Sequence, residues 1–99
     1  MDLSAIRDHL RMGNYRFSEH AVKRMIKRRI DRAEVEEVVL AGEIIEEYPG
    51  DKYSPSCLVY GKTASGRALH VQVSVPPNVV IVTTYEPNPN EWIDNRIRR

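Results

Sequence analysis

The chain has 99 residues, 41% of them apolar and 29% charged, with five Gly and six Pro, which is the composition of one ordinary folded domain spanning residues 1–99 and not of a disordered or fibrous segment. Its longest apolar runs are four residues, such as 79–82, far short of the roughly 20 that a membrane helix needs. The first dozen residues carry Asp2, Arg7, Asp8, His9 and Arg11, so no secretory signal is expected and the expected compartment is the cytoplasm. Cys57 is the only cysteine, which excludes an internal disulfide and a cysteine-rich zinc site.

The net charge of +1 conceals segregation. Residues 1–33 hold nine Lys/Arg against four Asp/Glu, residues 34–51 hold none against seven, and residues 52–99 hold six against three. Such segregation produces a local field able to attract a polyanion although the whole chain is nearly neutral.

In chain order, Leu3, Ile6 and Leu10 recur at helical spacing and Met12-Gly13-Asn14 ends that helix. Tyr15-Arg16-Phe17 reads as an extended connector, after which Ser18 caps a second helix over 19–30. Its expected buried stripe is Ala21, Val22, Met25, Ile26 and Ile30, with Lys23, Arg24, Lys27, Arg28 and Arg32 outward. Asp31 caps a third helix over 32–41, whose Val35, Val38 and Val39 face inward before Gly42 stops it. The period then changes to two, giving expected strands over 44–48, 57–63, 68–75 and 79–85, joined by turns too short for parallel crossovers. Glu91 to Ile97 reads as a final helical turn anchored by Trp92. The expected fold is therefore α+β, with two or three N-terminal helices packed on one face of a four-stranded antiparallel sheet. In the third strand Leu69, Val71, Val73 and Val75 meet the helices, which leaves His70 and Gln72 exposed on the open face, near Tyr60 or Tyr85.

Two constellations carry chemistry. His20 stands one turn before Arg24, and six basic residues lie within 23–32: Lys23, Arg24, Lys27, Arg28, Arg29 and Arg32. They read either as a phosphate site for RNA or as a solvated helix face. His70 reads either as a general acid or base or as a surface histidine. RNA cleavage by the 2′-hydroxyl needs a base, an acid and positive charge beside the phosphorane, which two histidines and arginines supply. Tyr60 and Tyr85 add hydrogen bonds or base stacking, or pack as rim aromatics. No pair among His9, His20, His70 and Cys57 has ligand spacing, so no metal and no cofactor is expected. Phosphate loops and nucleophile elbows are absent.

The runs Phe17-Ser18-Glu19-His20-Ala21, Arg24-Met25, Arg28-Arg29-Ile30, the glutamate-rich 34–42, Gly66-Arg67-Ala68-Leu69-His70-Val71 and Thr83-Thr84-Tyr85-Glu86-Pro87-Asn88 resemble the small prokaryotic domains of domain-of-unknown-function family 4258. The resemblance covers roughly residues 15–92. It implies a toxin of a toxin–antitoxin pair with a fold similar to RelE-type ribonucleases, a metal-independent endoribonuclease of the mRNA interferase type, and a zinc-finger antitoxin as partner. It places function on His20, Arg24, Arg28 and His70, with Tyr85 at the sheet end; RNA contacts on Lys23, Lys27, Arg29, Arg32 and Tyr60 are expected from the basic cluster and the strand tyrosine themselves. The near-neutral charge departs from the basic habit of such toxins. The alternative is a non-catalytic module that binds RNA or a protein through the basic helix or the acidic 34–51 belt.

Overall fold

A computed structural model describes residues 1–52 and 54–99. The element order is α1 (Leu3–Arg11), β1 (Arg16–Phe17), α2 (Glu19–Arg28), α3 (Arg32–Ala41), β2 (Glu43–Tyr48), β3 (Ser56–Lys62), β4 (Ala68–Ser74), β5 (Val80–Tyr85), β6 (Trp92–Ile93) and β7 (Ile97–Arg98). The α+β class holds, but the sheet is mixed and five-stranded in the order β1-β5-β4-β3-β2. The residues read as a connector are β1, which runs parallel to β5 with Arg16 opposite Val80 and Phe17 opposite Ile81. Two residues are too few to show a period, so only the pairing reveals the strand. Glu91 to Ile97 is not a helical turn: β6 and β7 form a separate antiparallel hairpin. Among the described residues no helix is long and apolar enough to cross a membrane.

Local chemistry fixes the three helices. Asp2 accepts the Ser4 N–H at 2.9 Å to start α1, Ser18 Oγ accepts the Ala21 N–H at 3.0 Å to start α2, and Asp31 with Glu34 forms a reciprocal capping box on α3. The Ser18 hydroxyl also donates to the Val82 carbonyl at 2.8 Å, at the irregularity between β4 and β5, so one side chain sets both the helix start and the sheet edge. Two arginines hold helix ends. Arg7 donates to Val39 O and Gly42 O at 3.0 and 2.7 Å, and Arg67 donates to Arg29 O and Arg28 O at 2.9 and 2.7 Å. Arg67 also pairs with Glu34 and Glu86, which clasps α2, α3 and the end of β5 together.

Leu3, Ile6, Leu10, Ala21, Val35, Val38 and Val39 meet Cys57, Val59, Leu69, Val71, Val73 and Ile81 in the core. A Cβ on Gly42 would come within 2.4 Å of the Tyr60 carbonyl, so only glycine lets α3 end against β3. The expected stripe of α2 is corrected: Val22 and Ile26 are 43% and 74% exposed, and within the helix only Ala21 is fully buried. Arg24 and Met25, half-buried, share its inward face. Apolar residues occur on two flanks of this helix, about 100° apart, and the sequence period alone did not decide which flank packs.

Candidate functional site

Alternation along β4 sends His70 away from the helices, as expected, and opposite Tyr60 of β3 and Tyr85 of β5. Its expected exposure is wrong: His70 is fully buried, and Gln72 is half-buried. The cause is the C-terminal hairpin, which folds back over this face. Trp92 stands edge-on to the imidazole at 4.5 Å between ring centroids, with Tyr85 at 5.3 Å and Tyr60 at 5.8 Å. His70 Nε2 lies 2.6 Å from the Asn95 carbonyl oxygen. A carbonyl only accepts, so Nε2 carries the proton, and Nδ1, 3.4 Å from the Tyr85 hydroxyl, is the acceptor. Burial pushes the imidazole below its ordinary value, opposed by the Asn95 carbonyl and by Glu46, so the ring is neutral near pH 7.

The hairpin turns through Asp94 and Asn95, both with positive φ at 52° and 62°. Asx residues between the apolar Trp92-Ile93 and Ile97, which pair across the turn, are the signal that marks it. Arg98 lies 4.4 Å over the Trp92 ring and donates to Glu46 at 2.9 Å; Arg96 lies 4.9 Å over Tyr60 and pairs with Glu43. Glu46 accepts from Tyr48 as well, and the Arg98 guanidinium holds its carboxyl below the usual range. Arg67, Trp92, Asn95, Arg96 and Arg98 thus shape the site, and none was among the expected site residues.

The expected residues fall into three groups. Arg24 sits with its guanidinium 5.9 Å from the Tyr85 ring centre, so Arg24, Tyr85, His70 and Tyr60 form one continuous line across the sheet end. Lys27, Arg28 and Arg29 are exposed, and among the described residues no carboxylate pairs with them. Lys23 is paired with Glu19 at 3.2 Å, and Arg32 is engaged by Tyr15 and Glu36. His20 is exposed and makes no hydrogen bond or ring contact among the described residues, so nothing joins it to His70.

The acidic belt is occupied residue by residue. Glu34 holds Arg67, Glu36 accepts from Tyr15, Glu37 accepts the Ala64 N–H, Glu43 and Glu46 hold the hairpin, Glu47 holds the N-terminal ammonium, and Asp51 accepts from Ser56 and Gln72. Cys57 is buried in the core, and burial raises its thiol to about 11, which makes it no nucleophile at neutral pH. On the uncovered part of the open face a cleft of 630 Å³ lies between Arg16, Asp51, Ser74 and Val80. Its Ser18, Ser74 and Asp51 side chains already have partners, and it contains none of the expected site residues.

The model of the family described as a domain of unknown function, DUF4258, matches residues 17–86, slightly less than the 15–92 read from the motifs. The matched span begins in β1 and ends just after β5. It therefore contains His20, Arg24, Arg28, Arg67, His70 and Tyr85 and stops before the hairpin that covers His70. No curated protein and no solved structure matches the chain. With 17–86 of 99 residues matched, from the parallel edge strand to the end of the central sheet, the chain belongs to the DUF4258 family.

Proposed function

We propose that the domain binds RNA through the outer surface of α2 and the adjoining sheet end, as the cytoplasmic toxin of a toxin–antitoxin pair. The observation that carries this reading is the distribution of unpaired charge. Glu34, Glu36, Glu43, Glu46 and Glu47 are each paired with a cation inside the fold, and Glu37 and Asp51 are held by neutral donors, whereas Lys27, Arg28 and Arg29 stay free at the exposed C-terminal end of α2. The field felt by a polyanion is therefore concentrated at α2 although the net charge is only +1. An acidic protein-binding belt is disfavoured for the same reason. The partner of the toxin reading is an antitoxin protein.

Titration of single-stranded RNA at low and moderate salt tests it. Each phosphate contact contributes about 0.7 to the slope of log affinity on log salt, so the triple variant Lys27→Ala, Arg28→Ala, Arg29→Ala lowers the slope by about 2. A wild-type affinity insensitive to salt overturns the reading.

Metal-independent cleavage to 2′,3′-cyclic phosphate ends is the second reading, favoured by the line of Arg24, Tyr85 and His70. In it His70 and His20 share the acid and base roles, and Arg24 and Arg28 stabilise the phosphorane. Cleavage of a long RNA in EDTA by wild type and by the His20→Ala, His70→Gln and His9→Ala proteins tests it. Loss of one acid or base costs about 100- to 10,000-fold, whereas His9, half-buried on α1 and bonded only to the Asn14 carbonyl among the described residues, is the control. Equal rates in all four proteins, or no cleavage by any, sink this reading.

A further inference from the structure

The hairpin that hides His70 is built as a body of its own. Its strands pair with each other and make no ladder with the main sheet. Asn88 accepts the backbone N–H groups of Glu91 and Trp92, and its side chain accepts that of Asn90. Arg99 closes the far end on Pro89 O and Glu91 O. Against this internal bonding, the hydrogen-bonding anchors to the rest of the protein among the described residues are three: Asn95 O to His70, Arg96 to Glu43 and Arg98 to Glu46. The Arg96–Glu43 pair is exposed, a class that contributes little, so the hairpin is held chiefly by the two-bond pair of Arg98 with the half-buried Glu46 and by the buried Trp92 ring. Ile93 and Ile97 face solvent. The chain enters through Pro87-Asn88-Pro89, immediately after Glu86 is fixed by Arg67.

What lies beneath is not ordinary core. A neutral imidazole donates its N–H to the Asn95 carbonyl, with the Tyr85 hydroxyl at its other nitrogen and the half-buried Arg24 over the Tyr85 ring. One residue pair further along the same face, Thr83 Oγ1 is buried without a hydrogen-bond partner among the described residues. Beside the hairpin, Tyr60, Lys62 and Arg96 border a cleft of 470 Å³ that opens to solvent along its flank. An imidazole N–H and a guanidinium are donors that bind a phosphate oxygen, with the Tyr85 hydroxyl holding the imidazole in the tautomer that donates, and a backbone carbonyl presents the same kind of acceptor. We propose that the hairpin is a displaceable cover over a phosphate-binding site made by His70 and Arg24, with Tyr85 orienting the imidazole between them and the Asn95 carbonyl standing where a phosphate oxygen of bound RNA goes when the cover lifts. The proposal rests on the RNA-binding reading for the identity of the ligand and on the fold alone for the cover.

The test uses the full chain and the variant Glu43→Gln, Glu46→Gln, which removes both ion-pair anchors and touches no residue of the site. The readouts are the rate of His70 modification by diethyl pyrocarbonate, amide exchange of residues 88–99, and binding of a short fluorescent single-stranded RNA. In the wild type, His9 and His20 react fast and His70 slowly. In the variant, His70 reacts about tenfold faster, as expected from the loss of one exposed pair and one partly buried pair, with His9 and His20 unchanged. Either RNA or inorganic phosphate then protects it. If His70 stays shielded in the variant, or the hairpin amides exchange only with global unfolding, there is no cover. If His70 is unmasked but neither probe protects it while RNA still binds, the phosphate site is wrong and the helix-surface reading stands. If neither protein binds RNA, the proposed function fails, and protection of His70 by inorganic phosphate alone still decides the site.

Discussion

The two histidines singled out by the sequence have opposite environments, and substitution separates them. His70 is enclosed by Tyr60, Tyr85 and Trp92 and bonded at both ring nitrogens, so His70→Ala opens a void and orphans the Asn95 carbonyl. The expected loss is about 2–4 kcal/mol in urea denaturation. His20→Ala, on an exposed turn of helix, stays within about 0.5 kcal/mol. The reverse order would mean that the hairpin does not enclose His70 in solution. Legibility at this scale followed locality. The caps Ser18 and Asp31 and the stop at Gly42 each act within four residues and were readable. Arg67 was readable only as part of a motif, because its partners Arg28, Arg29, Glu34 and Glu86 are 19 to 39 residues away.

At the scale of elements, α2 ends on a residue that suits its charge better than its backbone. Arg29 has φ 55°, a left-handed conformation in which glycine carries no penalty. Arg29→Gly is therefore expected to raise stability by about 0.5–1 kcal/mol while lowering RNA affinity, since Arg67 grips the Arg29 carbonyl and not its side chain. Thermal melting and RNA titration of the same variant check both signs; a drop in melting temperature would refute the strain argument. Three helices and four of the strands were legible because each repeats its period over six residues or more. The two-residue strands β1, β6 and β7 have no period of their own. They exist through tertiary pairing, and missing the last two turned a buried histidine into an apparently open one.

For the molecule as a whole, acidification acts first on the covered histidine. Burial lowers its folded-state value, so as pH falls below about 6.5 the unfolded or opened chain takes up a proton that the closed form resists. Glu46 on β2 favours that proton and Arg98 on the hairpin opposes it, while the rings of Tyr60, Tyr85 and Trp92 enclose it. Stability is expected to fall from about pH 6.5 downward, with a further loss below the ordinary carboxylate value of 4.5 as Glu46 releases Arg98. In the His70→Gln protein the first phase is absent; its persistence in melting curves would assign it elsewhere. The position of β2 gives the acidic belt one more consequence. This six-residue strand is an outer strand of the sheet, with a register irregularity between Ile44 and Glu46, and Glu43, Glu46 and Glu47 lie along it. Unpaired edge N–H and C=O groups template the addition of another chain, and charged side chains along an edge block it, here because an identical edge would have to desolvate three ion-paired carboxylates to dock. Replacing all three by Thr, a better strand former without charge, is expected to make the protein self-associate with rising concentration in sedimentation velocity, so Glu43 and Glu46, which brace the hairpin, and Glu47, which holds the N-terminus, also keep each molecule apart from its copies.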